Sequence, residues 1–158
     1  MQILSNAIET EKFRFSPVRR KEVRKALGIE ENLVIGHVGT LTTPKNHKFL
    51  LDVFGEIHKF RPDAVLLSAG EGVLRPRIEM RIREMGLENS VRLLGNRKDV
   101  PDLLQAMDLF LFPSLHEGLP VSVVEAQAAG LPVLMSDSVT DEVCVTGERI
   151  ARLPLSDG

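Results

Sequence analysis

The chain has no tryptophan and no tyrosine, and its 7 phenylalanines supply all of its aromatic content. An aromatic platform for stacking single-stranded nucleic acid is thereby excluded. The one cysteine, Cys144, cannot close an internal disulfide and points to a reducing compartment, the cytoplasm. Charge of neither sign dominates: 20 Lys and Arg stand against 22 Asp and Glu, a net of −2. Nucleic-acid binding driven by bulk electrostatics does not fit that balance. No apolar run approaches the roughly 20 residues of a membrane-spanning helix, and Met1-Gln2-Ile3 opens no signal peptide. Repeats and low-complexity tracts are missing too. What remains is an ordinary globular composition, 43% apolar in 158 residues, enough for one domain with a real core.

Five short apolar runs, at 33–39, 64–69, 91–94, 109–112 and 133–135, read as buried strands. Helical spacing lies between them. Phe49, Leu50, Val53, Phe54, Ile57 and Phe60 make one apolar face, and Leu74, Ile78, Ile82 and Met85 make the next. Val100, Leu103, Leu104 and Met107, then Val121, Val124 and Ala128, give two more. Alternation of this kind predicts an α/β fold, a Rossmann-like doubly wound parallel sheet. Its punctuation agrees. Gly28 fits a helix end, Asp99 a helix cap before Pro101, and Pro120 a first helical turn that closes at Gly130 and Pro132. Ser138 and Asp141 resemble a capping box, Ile3-Leu4 is strand-like, and 150–155 is a short apolar piece with no assigned place. Arg75, Arg77, Arg81 and Arg83 read as solvated charges, and His37 as a core histidine. The run Arg19, Arg20, Lys21, Arg24 and Lys25 makes a basic helix. Such a helix can lie on an anionic membrane, although a solvated face is the commoner outcome.

Chemistry concentrates in 108–135, a strand–loop–helix–strand unit suited to a right-handed parallel crossover. Glu117 stands in the loop at the carboxyl end of a strand, where open α/β sheets bind ligands. Gly118 lets the backbone come close to a ligand, and the N–H groups after Pro120 favour an anion. Glu125 follows on the helix. A ligand with both phosphate and hydroxyl groups suits this set. Lys45, at the entrance of an earlier helix, adds a cation for the phosphate.

Glu117-Gly118-Leu119-Pro120 followed by Glu125, within FPSLHEGLPVSVVEAQAAGLPV, resembles the Glu-(seven residues)-Glu motif of retaining GT-B glycosyltransferases of family 4. The resemblance implies the carboxyl-terminal half of such an enzyme, with 1–32 an interdomain lead-in and basic helix and 33–158 the nucleotide-sugar-binding domain, truncated at its end. The Asn6-Ala7-Ile8-Glu9 stretch is similar to the family's lead-in. The implied activity is transfer of a sugar from a UDP- or GDP-linked donor to a glycan or lipid-linked acceptor, in surface polysaccharide synthesis. By the same resemblance Lys45 and Glu117 are catalytic. Lys45 neutralises the leaving diphosphate, Glu117 binds donor-sugar hydroxyls and Glu125 the ribose. Gly39, Thr40, Gly118, Leu119, Pro120 and Val121 complete the donor site, and the backbone from Leu94 to Asn96 meets the base. No cofactor and no metal are implied, and the chain has no Asp-x-Asp pair. The implied partners are the nucleotide sugar and a missing amino-terminal acceptor-binding domain, without which transfer fails, and a peripheral membrane contact in the full-length enzyme. Thr40 departs from the pattern, which has arginine there; threonine offers one hydroxyl in place of a bidentate cation.

Two other readings compete. A dinucleotide oxidoreductase needs Gly-x-Gly-x-x-Gly after the first strand, and Gly39-Thr40-Leu41-Thr42-Thr43-Pro44 lacks it. A non-catalytic flavodoxin-like nucleotide-binding or receiver module would want clustered acids where this chain has threonine and lysine.

Overall fold

The computed structural model describes residues 10–115, 120–139 and 149–154. Two short helices, α1 (Thr10–Phe13) and α2 (Pro17–Leu27), precede strand β1 (Val34–Val38). A 3-10 turn, Thr43–Lys45, leads into α3 (His47–Phe60), β2 (Val65–Ala69), α4 (Arg75–Glu84), β3 (Val91–Gly95) and α5 (Val100–Ala106). Then come β4 (Leu109–Phe112), α6 (Val121–Ala128), β5 (Val133–Ser136) and β6 (Ile150–Leu153). All strand pairings are parallel, in the order β3-β2-β1-β4-β5-β6. This is the doubly wound, Rossmann-like order, whose winding reverses between β1 and β4. The expected fold is present, with β6 as a sixth strand. Arg152 breaks the apolar pattern of β6 but is accommodated at the sheet edge, where it donates to the carbonyl of Val139 at 2.8 Å. Ile3, Leu4, the Asn6 to Glu9 stretch, Asp141 and Cys144 lie outside the described residues.

Alternate strand residues feed two cores. Val34, Leu67 and Phe110 join the cluster that holds Leu103 of α5 and Val123 of α6. Ile35, Leu66 and Leu111 join the one that holds Leu50 and Phe54 of α3 and Ile78 of α4. The expected helix faces need three corrections. On α3, Leu51 is buried and Phe60 is 84% exposed. Six residues past Phe54 is about 120° around the helix, off the apolar stripe. On α6 the buried face is Val123, Val124, Ala126 and Gln127, while Val121 is exposed. The helix starts one residue later than expected, because Pro120 is extended at φ −75°, ψ 105° and serves as the cap. Asp99 does stand at the cap of α5, yet its carboxylate accepts from Arg97 at 2.7 and 2.8 Å and caps no helix N–H. Arg75 and Arg81 are likewise paired, with Glu79 and Asp52.

The basic helix departs from both readings of it. Arg19, Arg20 and Arg24 of α2 turn inward and clamp α5 and the start of β4. Arg19 pairs with Asp102, and Arg20 donates to the carbonyl of Met107 at 2.8 Å and pairs with Asp108. Arg24, 7% exposed, donates to the carbonyl of Ala106 at 2.7 Å and to those of Asn32 and Glu30. Buried Gln105 receives the Ser16 N–H and donates to Phe13 and Arg14. Only Lys21 and Lys25 of the run are fully exposed. The helix then stops at Gly28, left-handed at φ 68°, whose N–H returns to the last turn.

Removing Arg24 strands several buried acceptors at once. Arg24→Met should therefore lower unfolding stability by about 3 kcal/mol in urea titration, whereas Lys25→Met should stay within about 0.5 kcal/mol of wild type.

Candidate functional site

The reversal between β1 and β4 opens a crevice at their carboxyl ends, and the loop after β1 folds over it. Backbone bonds hold the neighbouring strand ends level. The N–H of Gly39 reaches Ala69 at 3.0 Å, and that of Gly70 reaches Gly95 at 2.8 Å. Lys45 lies back across the end of the sheet. Its Cδ sits 3.3 Å from where a Cβ on Gly39 would be, so glycine leaves room for the lysine stem. The ammonium ends 5.3 Å from the centroid of Phe112, the last residue of β4, within cation–π range. A cation carried by the β1 loop is thus delivered to β4.

That delivery depends on two residues beside the loops, Asn46 and Ser114. Asn46 is left-handed at φ 59°, a conformation open mainly to glycine and asparagine. It ends the 3-10 turn, starts α3, and donates from Nδ2 to the carbonyl of Pro113 at 3.1 Å. Ser114, fully buried, donates to the carbonyl of Pro44 at 3.0 Å, and the Leu115 N–H reaches the same oxygen at 2.8 Å. Ser136 at the end of β5 donates to the Ser114 carbonyl. Sequence reading passed over Ser114, whose available signal was a serine two residues past the end of a strand.

Beneath Lys45 lie two buried histidines. His37 is a core histidine as expected, with Nδ1 2.9 Å from the Leu111 carbonyl and its ring stacked on Phe112 at 5.6 Å. His47 meets it edge-on at 4.9 Å. Burial, then the neighbouring His47, lowers His37 to about 3, against the carbonyl of Leu111, which raises it. Burial, then Lys45, lowers His47 to about 4. Both rings are neutral near pH 7, so Lys45 stands over an uncharged floor.

Across the crevice is the start of α6. Pro120 is buried, Val121 is exposed, and the backbone turns there into the helix. The carboxylate of Glu125, half-buried one turn further in, has no hydrogen bond or ion pair among the described residues. Burial raises its pKa above the usual carboxylate range. Thr40 is exposed at the end of β1, its hydroxyl 3.0 Å from that of Thr42. Leu94 and Asn96 flank Gly95 at the end of β3, with Asn96 exposed. Glu117, Gly118 and Leu119 lie outside the described residues. Among the described residues no group of three or more His, Cys, Asp or Glu is placed to hold a metal ion. Nor is any described helix long and apolar enough to cross a membrane.

A family model described as glycosyl transferases group 1 matches residues 32–155. The chain belongs to that family. EpsF of Bacillus subtilis, named as a glycosyltransferase, is 38% identical over 99% of this group 1 chain and 41% of its own length. The Escherichia coli protein named UDP-Gal:alpha-D-GlcNAc-diphosphoundecaprenol alpha-1,3-galactosyltransferase is 33% identical over 87% of this chain and 36% of its own. A crystal structure of HepE from Anabaena with UDP and glucose has a TM-score of 0.84 at 26% identity, over 93% of this chain and 41% of that one. The group 1 chain therefore spans less than half the length of these relatives.

The buried histidines of this group 1 domain make its stability depend on pH. Their folded pKa values lie below the usual 6.5, so the unfolded chain takes up protons first. Stability should be full above pH 6.5 and fall on acidification toward pH 4. Each histidine contributes a slope of up to about 1.4 kcal/mol per pH unit. Urea titrations from pH 7 to pH 4.5 should give a slope roughly halved in His47→Phe; an unchanged slope would mean that His47 titrates normally.

Proposed function

We propose that the crevice at the carboxyl ends of β1 and β4 binds the nucleotide-sugar donor of a retaining glycosyltransferase. The observation that carries this reading is the pairing of a delivered cation with an unanswered acid. Lys45 reaches over Phe112 at the end of β4, and Glu125, half-buried and with its carboxylate unpartnered among the described residues, follows in the first turns of α6, the next element of the chain. A carboxylate left dry and unpaired is costly unless a ligand supplies donors. Ribose hydroxyls are such donors, and a diphosphate is the natural partner of Lys45 and of backbone N–H groups near Val121.

In this reading Lys45 takes up charge as it develops on the leaving diphosphate, the stage at which preorganised electrostatics is most effective. Glu117 holds donor-sugar hydroxyls, Gly118 to Val121 lie against the phosphates, and Gly39 and Thr40 close the β1 side. The backbone of Leu94 to Asn96 meets the base. The donor carries UDP or GDP and no metal takes part. The acceptor is a glycan or a lipid-linked sugar, bound by a separate amino-terminal domain, and the complete enzyme works in the cytoplasm with a peripheral membrane contact. The relatives lend support: HepE was crystallised with UDP and glucose, and the Escherichia coli relative is named for transfer to a diphosphoundecaprenol-linked sugar. Acceptor positioning needs both walls of the cleft, so this chain alone should bind donor without transferring sugar.

The test is calorimetry with UDP and with inorganic diphosphate. Glu125→Ala should weaken UDP by about 1.5 kcal/mol or more and leave diphosphate unchanged; equal losses would give Glu125 another role. Thr40→Arg should tighten UDP by at most about 1.5 kcal/mol, less in added salt, with no gain for uridine. A gain for uridine as large as for UDP would remove Thr40 from the phosphate site.

A further inference from the structure

A cavity of about 500 Å³ lies between α3 and α4, and none of Gly39, Lys45, Pro120 or Glu125 lines it. Its inner wall is apolar, built from Leu51, Leu74, Ile78 and Leu115. Cations stand at its rim: Lys48 and Arg77 are both exposed, and neither has an ion-pair partner among the described residues. The acid at the rim, Glu84, lies 3.9 Å from Arg81.

Two polar groups without a partner among the described residues lie behind this wall. His47, 3% exposed, lines the cavity with both ring nitrogens unpartnered among the described residues. The Nε of Arg81 is also buried without a partner there, although its terminal nitrogen pairs with Asp52 at 2.9 Å. Buried donors left open in this way ask for an acceptor. The first turn of α3 adds to this: it has no side-chain cap, so its N–H groups and dipole also favour negative charge.

We propose that this cavity is a second ligand site, for an amphiphile with an anionic head and a short apolar tail. The head meets Lys48 and Arg77 at the rim, and the tail lies on Leu51, Ile78 and Leu115. A bare anion leaves the apolar wall wet, and a neutral chain leaves the donors unanswered. The volume is that of a small-molecule site. This goes beyond the nucleotide reading and does not rest on it, because none of the described residues proposed to contact the nucleotide sugar lines this cavity, although His47 and Leu115 also support the loop that carries Lys45.

Decyl phosphate, inorganic phosphate and decanol, each below its aggregation concentration, would be titrated into the chain and followed by amide NMR. A parallel UDP titration reports separately on the donor site. Decyl phosphate should bind saturably and shift the amides of the first turns of α3 and α4. Inorganic phosphate should bind about a hundredfold more weakly for want of the tail. Decanol should bind about tenfold more weakly for want of the head. The exposed double variant Lys48→Glu with Arg77→Glu, which leaves the core intact, should weaken decyl phosphate about tenfold and leave decanol unchanged. The proposal is overturned by non-saturable binding, by phosphate binding as tightly as decyl phosphate, by shifts confined to other elements, or by wild-type affinity in the double variant.

Discussion

The carboxylate of Asp108 ties together the parts on which the site depends. It accepts the Val34 N–H at 2.8 Å and the guanidinium groups of Arg20 and Arg24, while the Asp108 N–H returns to Val34. Val34 begins β1 and Leu109 begins β4, so this one group locks the amino ends of the two strands that flank the reversal. Their carboxyl ends, where the crevice opens, inherit that register. The basic helix supplies the counter-charges, and its contribution is architectural. Arg24 is buried and Arg20 and Asp108 are partly so, and the arrangement is cooperative: each arginine is stabilised by acceptors that the others help to hold.

At the other end of the strands the same economy of parts recurs. The loop after β1 is fixed to the loop after β4 through Asn46, Ser114 and Leu115, and only then is Lys45 held over Phe112. The neutral histidine pair underneath matters because a charge there would repel the lysine.

Much of the fold was legible in the sequence, because a doubly wound sheet announces itself by buried apolar runs separated by helical spacing. Strands β1 to β5 come from that signal. The sixth strand escaped it, since Arg152 interrupts the run and a sheet edge tolerates such a residue. Phe60 and Val121 were misplaced for a different reason: an apolar residue at a helix end satisfies the periodicity loosely, and geometry decides its side. The basic run was unreadable in one dimension. Whether an arginine faces water or a carbonyl depends on what lies opposite, and for Arg24 that is Ala106, 82 positions away. At the site, residue types mark the glycines and Lys45, whereas the side chains of Asn46 and Ser114 donate to backbone carbonyls, partners that leave no trace in sequence.

Glu125 carries a consequence for the history of such domains. A carboxylate that is half-buried, without a partner among the described residues and raised in pKa by desolvation makes the empty domain less stable than an apolar residue of similar size would. In the proposed donor site, nucleotide binding is what keeps the acid in place against that pressure. In a lineage that retained the fold for scaffolding and stopped handling nucleotides, drift should replace this glutamate early, before the clamps around Asp108 change, because its loss is the substitution from which the bare fold gains.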